Sequence, residues 1–431
     1  MTMKKILFRI GAIVMAACLL FLNCGSTPIC EPIRFENGLS VALLATDSPI
    51  ESAVFYMGFG EVDGPPFLAT ITNRLLLRGT EIRNGRQIFE EIESLGGELG
   101  TSTGLTSSLV YVQSPAGNFE DCFRVLCECL TQATFDSMEL SRLNRTEYDF
   151  FIKQKNILLK KQVWTDHSIR TQLFPNSSMG RDLSQKLRSY SRDEIVSFYR
   201  NHFQPTRMVL SISGPIPRKK IIRLIKTCYN QFNRLPNIQS TSESSSASER
   251  LRQPIPYSIG KEDTVFFAYK GAAPFTESFL LGYLAETALS DERTGYLVEL
   301  LKAKGITNFK IQSYCQYENI YSYFVTAVAV PRGTGDRTMK ILEAEIQNIR
   351  RNGVSDEFFQ TAKRQTESIL AIQYQYTLSN AVMAALTASI KGPCLTIPIM
   401  RNKIHRLTLN EFNGSLDAVL IDSIVRLKKA R

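Results

Sequence analysis

The pattern of apolar and polar residues divides the first half of the chain into short strands and longer helices. Runs of β-branched and aromatic residues between turn residues predict strands, whereas apolar residues spaced three or four apart predict helices. The predicted strands lie at residues 37–44, 52–58, 107–114 and 207–213. The predicted helices lie at residues 66–77, 86–95, 118–132, 137 to about 164, 191–202 and 216–232.

A second set of elements repeats this order. Residues 265–271 (VFFAYKG) are similar to residues 54–60 (VFYMGFG), and an apolar-periodic helix follows each of them. The helices predicted at 341–351 and 355–373 correspond in the same way to the two long helices of the first half. The repeat predicts an α+β fold made by tandem duplication of one α/β-sandwich domain, with helices on one face of a mixed or antiparallel sheet.

A serine-rich stretch marks the boundary between the two predicted domains. Residues 240–249 (STSESSSASE) have the composition of a flexible linker. The 431 residues of the chain are also too many for one compact core. We therefore predict a first domain at residues 33–235, a linker at 236–255 and a second domain at 256–431.

The N-terminus has the parts of an export signal. A cationic start is followed by an apolar run at residues 10–22 and then by Cys24. The run is shorter than the ~20 residues that span a membrane. The order resembles a bacterial lipobox, in which residues 1–23 are removed, Cys24 is acylated and residues 24–32 form a tether. An ordinary secretory signal or an uncleaved signal anchor are the alternatives. We predict an exported lipoprotein, anchored to a membrane of the bacterial cell envelope on its periplasmic face.

The overall charge argues against one class of partner. The formal net charge is +10, but no dense Lys/Arg run with interleaved aromatic residues is present. Such runs are typical of nucleic-acid-binding proteins, so we expect no nucleic-acid partner. Attraction to anionic lipid headgroups is the interpretation that we favour for the charge.

The cysteines after Cys24 do not define a disulfide or metal framework. There are seven of them, and none forms a Cys-x-x-Cys pair. Cys122 and Cys129 lie in an apolar-periodic helix, where we expect them to pack as small hydrophobic residues. An exported chain can still form one or two disulfide bonds, so this point stays open.

Four segments, taken in order, resemble the insulinase/pitrilysin/mitochondrial processing peptidase family. They are residues 37–41 (NGLSV), 76–80 (LLRGT), 94–99 (SLGGEL) and 198–210 (FYRNHFQPTRMVL). With the repeat, the resemblance covers about residues 33 to 430. It implies the fold of that family, in which two double-domain halves close around a peptide chamber, as one chain or as two.

The resemblance also implies where a zinc site would lie. The family carries His-x-x-Glu-His on a helix, with two histidines that bind zinc and a glutamate that acts as general base. Aligned on Gly79 and Thr80, the histidine positions are Thr70 and Arg74, and the glutamate position is Asn73. Threonine is a poor zinc ligand, an asparagine amide does not take up a proton, and a guanidinium repels a divalent cation.

The third zinc ligand of the family, a glutamate on a later helix, is also replaced. Its position falls on Phe150, which has no donor atom, with Asp149 beside it. Without zinc, Arg74 needs a counter-charge, and we hypothesise an ion pair with Asp149 or Glu147 in the place of the metal. The alternative is that Arg74 extends to the surface. We expect structural or surface roles for the three histidines of the chain, His167, His202 and His405.

The second domain departs from the family pattern as well. In the family, an arginine and a tyrosine of this domain bind the substrate backbone and stabilise the tetrahedral intermediate. Aligned on Leu300, Gly305 and Ile306, these positions are Gly295 and Asn308. This departure argues against a role as the substrate-clamping half of a split active site.

These substitutions predict a protein that is not an enzyme and that binds no cofactor, although zinc is expected in the family. We expect it to pair with an active peptidase of the same family, or with itself, and to complete a chamber for extended peptides. The alternative is a stand-alone peptide-binding or envelope-structural lipoprotein. A metallopeptidase with unrecognised site chemistry is the third and least favoured hypothesis.

Overall fold

The computed structural model describes most of the chain. The described residues are 32–153, 169–174, 189–232, 262–274, 276–318, 321–390 and 396–429. The predicted export signal with Cys24 and the serine-rich linker lie outside these ranges. Among the helices that the structure describes, none has both the length and the apolar composition required to cross a membrane.

The first half contains a six-stranded mixed sheet. Only the strands at Ser40–Ala45 and Met208–Gly214 run parallel, and the other neighbours are antiparallel. Inward-facing residues such as Phe55 and Leu210 alternate with residues of the opposite face. The strands, in sheet order, are β1 (Ile33–Arg34), β2 (Ser40–Ala45), β6 (Met208–Gly214), β3 (Ile50–Met57), β5 (Ser108–Pro115) and β4 (Glu98–Thr103).

Helices cover the inner face of this sheet and form the first core with it. Their starts carry the expected caps: Asn84 with Gln87 and Ser191 with Glu194 form capping boxes. The helices are α1 (Leu68–Leu76), α2 (Gly85–Ser94), α3 (Phe119–Thr131), α4 (Ser137–Lys153), α5 (Arg192–His202) and α6 (Arg218–Phe232).

The second half repeats the plan with a smaller, fully antiparallel sheet. Its strands, in sheet order, are β10 (Ile424–Lys428), β7 (Glu262–Gly271), β9 (Tyr321–Pro331) and β8 (Lys310–Glu318). Its helices are α7 (Glu277–Ser290), α8 (Tyr296–Ala303), α9 (Gly335–Asn352), α10 (Asp356–Tyr374), α11 (Thr377–Ser389), α12 (Ile397–Arg406) and α13 (Leu409–Leu420).

Each half covers the outer face of the other half's sheet. Helix α11 lies on the first sheet, where the hydroxyls of Ser52 and Thr377 are 2.7 Å apart. Residues 169–174 lie on the second sheet, where Phe174 packs edge-on against Tyr321 at 5.6 Å. The two halves are therefore interlocked.

The predicted fold class, a duplicated α+β domain with a mixed and an antiparallel sheet, is confirmed. The helix predicted at 66–77 is α1, and the strand predicted at 52–58 is β3. The sequence analysis left out strands β1, β8, β9 and β10 and helices α8, α11, α12 and α13, and it also missed two features that shape the candidate site and the contact between the halves. Residues 98–103 form a separate strand, and the outer face of each sheet carries a segment of the opposite half.

Candidate functional site

Helix α1 carries three of the four positions at which the family places its zinc chemistry, and its start is held from outside the helix. The carboxylate of Glu61, which is almost fully buried, accepts hydrogen bonds from the backbone N–H of Phe67 (2.5 Å) and of Thr70 (3.1 Å). It also accepts one from the Thr70 hydroxyl (2.5 Å). A negative charge at a helix N-terminus is favourable. The hydroxyl at the first histidine position therefore holds the helix start.

Phe67, the residue before α1, adopts a conformation that is unusual for a side chain of its size. Its φ is 69°, in the left-handed region. For a non-glycine residue this conformation costs about 1–2 kcal/mol. The hydrogen bond from its N–H to Glu61 stabilises this turn, so Glu61 compensates for strain as well as capping the helix.

Asn73, at the position of the general base, lies fully buried between α1 and the sheet. Its amide nitrogen donates to the hydroxyls of Thr103 (2.6 Å) and Ser108 (2.9 Å), which belong to β4 and β5. Its carbonyl oxygen has no hydrogen-bond partner among the described residues. The side chain fastens the helix to two strands and has no group that accepts a proton at neutral pH.

Arg74, at the second histidine position, is exposed, and Arg78 adds a second positive charge one turn later. The side chains of Glu147, Asp149 and Phe150 lie outside the described residues. The ion pair hypothesised for Arg74 therefore stays a prediction.

The donor set does not fit zinc. The Thr70 hydroxyl donates to the Glu61 carboxylate, the Asn73 amide donates to hydroxyls of the sheet, and Arg74 is a permanent cation. Within the ranges that the structure describes, no group of three or more His, Cys, Asp or Glu residues is arranged to hold a metal ion.

The two described histidines have other surroundings. His202 lies in an aromatic cluster, with its ring centroid 4.2 Å from that of Phe198. Burial lowers the pKa of His202, and the positive charge of Arg207 lowers it further. His405 is exposed and lies 3.1 Å from Glu367. His167 falls outside the described residues.

The two positions of the family's substrate clamp lie before α8 and before β8. Gly295 precedes α8, and a Cβ atom there would come within 2.6 Å of the backbone of Asp291. Asn308 is exposed in the turn before β8. The crowded backbone at Gly295 leaves no room for a side chain there.

The second half contains a polar and aromatic cluster that the sequence analysis missed. It lies between α7 and the edge strand β8, in the same relation as α1 and β4 of the first half. The ring of Phe279 is 6.0 Å from that of Tyr317 and 6.3 Å from that of Tyr283. We call the six residues of this cluster the α7–β8 furrow: Phe279, Tyr283, Glu286, Ser313, Cys315 and Tyr317.

Glu286 is the charged group of the furrow. Burial raises the pKa of its carboxyl, a hydrogen bond from Ser313 lowers it, and the charge of Asp291 raises it. The signal in the sequence was the spacing of Phe279, Tyr283 and Glu286 on one helix face, which was interpreted only as apolar periodicity.

Two family models match the chain, one after the other. The model described as Insulinase (Peptidase family M16) matches residues 66–175. The model described as Peptidase M16 inactive domain matches residues 189–366.

Curated relatives are distant in sequence. A probable mitochondrial-processing peptidase subunit beta of Arabidopsis thaliana is 23% identical over 227 residues, 50% of this chain and 41% of that protein. An uncharacterized zinc protease of Bacillus subtilis, YmxG, is 19% identical over 399 residues, 88% of this chain and 93% of that protein. The chain thus covers less than half the length of the processing-peptidase subunits that it matches.

Solved structures agree with the fold. A peptidase M16 inactive domain from Pseudomonas fluorescens has a TM-score of 0.78 at 12% identity, covering 93% of this chain and 98% of that chain. The periplasmic protease PqqL from Escherichia coli has a TM-score of 0.69 at 15% identity, covering 93% of this chain and 47% of that chain. The resemblance drawn from four short segments is confirmed, and the chain belongs to the insulinase family, peptidase family M16.

Proposed function

We propose that this chain is a non-catalytic member of the insulinase family that supplies one half of a peptide-binding chamber to an active peptidase. The observation that carries the proposal is the state of α1. The residue in the place of the general base, Asn73, is buried and donates its amide to Thr103 and Ser108. A general base must lie within reach of a water molecule and take up its proton. Asn73 meets neither condition.

The neighbouring positions support the same conclusion. Thr70 is engaged with Glu61, so its hydroxyl stabilises the helix start. Arg74 places a permanent positive charge where a zinc ligand would be. A divalent cation at this place would meet a like charge and no thiolate, imidazole or carboxylate from α1. We therefore infer that the chain binds no zinc here.

A chamber half needs a surface for peptide, and the first sheet has one. Strand β4 is the last strand of the described sheet, and an extended peptide can add to such an edge through main-chain hydrogen bonds. The lengths of the relatives support pairing. This chain covers 47% of PqqL, so that protein is long enough for two such units.

The proposed location is the periplasmic face of a bacterial membrane, with Cys24 acylated. PqqL, one of the structural neighbours, is described as periplasmic, which supports an envelope location. Globomycin, an inhibitor of lipoprotein signal peptidase, combined with palmitate labelling tests this point. We expect the wild-type chain to carry the palmitate label and the Cys24→Ser variant to lack it. A wild-type chain without label contradicts the anchor.

Zinc content and cleavage of peptides by the purified chain test the loss of catalysis. After the chain is dialysed against zinc and the excess is removed, we expect far less than one bound zinc per chain. We also expect no more cleavage of unstructured peptides than in a mock purification. One zinc per chain, together with chelator-sensitive cleavage that Asp149→Ala abolishes, would overturn the proposal.

Affinity purification from the native host tests the partner. A tagged chain, cross-linked before lysis, is expected to bring down a second family member that retains His-x-x-Glu-His. Recovery of the chain alone, under conditions in which a known envelope complex stays intact, contradicts pairing.

The second candidate function is a stand-alone peptide-binding lipoprotein, and one observation favours it. Gly295 and Asn308 leave the second half without the family's substrate clamp. A chain that assists an active partner would have reason to keep that clamp, whereas an independent binding protein would not. Recovery of the chain with an envelope complex that contains no peptidase would support this candidate.

A further inference from the structure

Helix α6 has a basic outer face. Its sequence, RKKIIRLIKTCYNQF, contains Lys and Arg but no Asp or Glu. The apolar residues Ile221, Leu224 and Ile225 are buried in the first core, where α6 packs against α3. The cations all lie on the exposed side of the helix, and they are Arg218, Lys219, Lys220, Arg223 and Lys226.

Within the residues that the structure describes, no acid pairs with these cations. Cations elsewhere on the surface are paired: Arg124 of α3 with Glu120 at 2.7 Å, and Lys403 of α12 with the exposed Glu277 of α7 at 3.2 Å. On α6 the nearest charges are of the same sign, three or four positions apart along the helix. Like charges at these spacings destabilise a helix.

The start of α6 is an unfavourable place for positive charge as well. Residues 218–220 put three cations in the first turn, and no acid accompanies them. A helix N-terminus carries a partial positive charge and favours acids, as in α5 with Asp193 and Glu194 in its first turn. The stability of the helix therefore does not explain its cations. An anionic partner outside the chain would neutralise both sources of repulsion.

The topology of the first sheet places the start of α6 beside the point at which the chain enters the sheet. Strands β2 and β6 run parallel and end together, with Ala45 opposite Gly214, and α6 follows β6 after a short turn. Strand β1 is antiparallel to β2, with Ile33 opposite Val41, so β1 enters the sheet from that same end. Because β1 and β6 both flank β2, they lie about 10 Å apart.

The predicted lipid anchor is within reach of this end of the sheet. The predicted tether, residues 24–32, spans at most about 30 Å when fully extended. An acylated Cys24 would therefore hold the membrane surface close to the start of α6 and keep the helix at a high local concentration beside it. Anionic headgroups are the partner that matches an unpaired basic face at such a distance from an anchor.

We propose that the basic face of α6 docks on the anionic lipid headgroups of the membrane that holds Cys24. The ammonium and guanidinium groups contact headgroup phosphates through charge-assisted hydrogen bonds. The apolar side of α6 stays in the protein core, so the contact is electrostatic and weakens with added salt. The proposal rests on the membrane location proposed above, and it adds which surface of the first half faces the lipid.

The first test is co-flotation of the chain with vesicles. The chain from residue 24 onward, with Cys24→Ser, keeps every described residue and lacks the anchor, so its binding reports on the surface alone. We expect it to bind vesicles of phosphatidylcholine and phosphatidylglycerol in equal parts, and not vesicles of phosphatidylcholine. Each cation at an anionic surface strengthens binding about fivefold. The triple variant Lys219→Gln, Arg223→Gln, Lys226→Gln is therefore expected to bind about a hundredfold more weakly.

The matched control removes the same charge from the second half. Lys340 and Arg351 of α9 and Arg401 of α12 are exposed, and none has an ion-pair partner among the described residues. Replacing all three by Gln is expected to change binding less than about twofold, because charges more than about 10 Å from the headgroups are screened at 0.1 M salt. Equal losses in the two triple variants, or equal binding to both kinds of vesicle, would overturn the proposal.

The second test locates the contact in the wild-type sequence. An N-hydroxysuccinimide ester of acetic acid acetylates exposed lysines, and mass spectrometry of the digested chain follows each lysine separately. We expect the anionic vesicles to protect Lys219 and Lys226 and to leave Lys340 unchanged. Labelling of Lys219 and Lys226 that is the same with and without vesicles would overturn the proposal.

The results separate this surface from the proposed anchor. Charge-dependent vesicle binding by a chain that takes up no palmitate removes the anchor and supports the lipid-binding face of α6. A palmitate-labelled chain whose α6 triple variant binds vesicles like wild type keeps the anchor and removes this surface. Binding of the chain to a DNA duplex, but not to the anionic vesicles, would overturn the proposal in favour of a nucleic-acid partner.

Discussion

The polar groups between the helix and the edge strand of the first half have different hydrogen-bond partners from those at the corresponding place in the second half. Between α1 and β4, Glu61 accepts three hydrogen bonds at a helix start and Asn73 is sealed by two hydroxyls. Between α7 and β8, Glu286 has one neutral donor and aromatic neighbours. The polar groups between α1 and β4 are thus paired within the fold, apart from the Asn73 carbonyl oxygen, whereas no described Lys or Arg forms an ion pair with Glu286.

Removing Glu61 is expected to have the largest effect on stability, because three donors lose their acceptor at once. We expect Glu61→Ala to lower the free energy of unfolding by about 3 kcal/mol. The strained turn at Phe67 also loses its hydrogen bond. Urea unfolding measures the change, and the exposed Glu81→Ala serves as control. A loss no larger than that of the control would show that α1 is not held by this carboxylate.

Glu51 is the carboxylate of the first half that can be compared with Glu286. Neither of them forms an ion pair with a described Lys or Arg. Glu51 is buried, and burial raises its pKa to about 7, although the N–H of Ile216 donates to it and lowers the pKa. The folded state binds this proton more tightly than the unfolded state does. The contribution of Glu51 to wild-type stability therefore falls as the pH rises from about 4.5 to about 7.

Glu51→Gln removes that dependence. The variant is expected to match wild type near pH 4.5 and to be more stable by about 2–3 kcal/mol at pH 8. Unfolding measured across this range tests it, with Glu81→Gln as the matched exposed change. A stability difference that does not vary with pH would mean that Glu51 does not titrate in this window.

Asn73→Asp tests whether the first site tolerates a charge. The new carboxyl has the same shape as the amide but lies at a position of 0% exposure. Thr103 and Ser108 can reorient their hydroxyls to donate, so we expect a loss of about 2 kcal/mol at pH 8. Burial raises the folded-state pKa of this carboxyl, so the loss is expected to shrink as the pH falls toward 4.

The control for Asn73→Asp is Asn84→Asp, at the exposed N-cap of α2, where the two residues cap equally well. A tolerated Asn73→Asp, with stability equal to the control, would show that water reaches this position. Burial would then no longer exclude a general base at this position.

Much of the first site followed from the sequence, because its signals are local. The apolar spacing of α1 and its distance from Gly79 and Thr80 put Thr70, Asn73 and Arg74 on one helix. The partners of Asn73 were not predictable, since Thr103 and Ser108 are 30 and 35 residues away in the chain. Strand β4, ELGTST, was missed because its glycine and polar residues resemble a turn.

The interlocking of the halves was missed for a related reason. Helix α11 packs on a strand that is more than 300 residues earlier, as the Ser52–Thr377 contact at a separation of 325 residues shows. A signal was present: residues 377–389 are small or apolar all round, which is typical of a helix buried on more than one side. Which surfaces bury it is information that no local pattern contains.

The smallest expected change in stability is that of Glu286→Gln, which compares the two halves most directly. Burial raises the pKa of Glu286, so its ionised form opposes folding, and this penalty grows as the pH rises above the value of the unfolded state. We expect Glu286→Gln to be more stable than wild type by about 0.5 kcal/mol at pH 8 and equal to it near pH 4.5. Thermal unfolding at the two pH values, with Glu277→Gln as control, measures the difference. A clear loss of stability at pH 8 would place Glu286 with Glu61 as a structural carboxylate. A gain would mean that the ionised carboxylate opposes folding, as its burial implies.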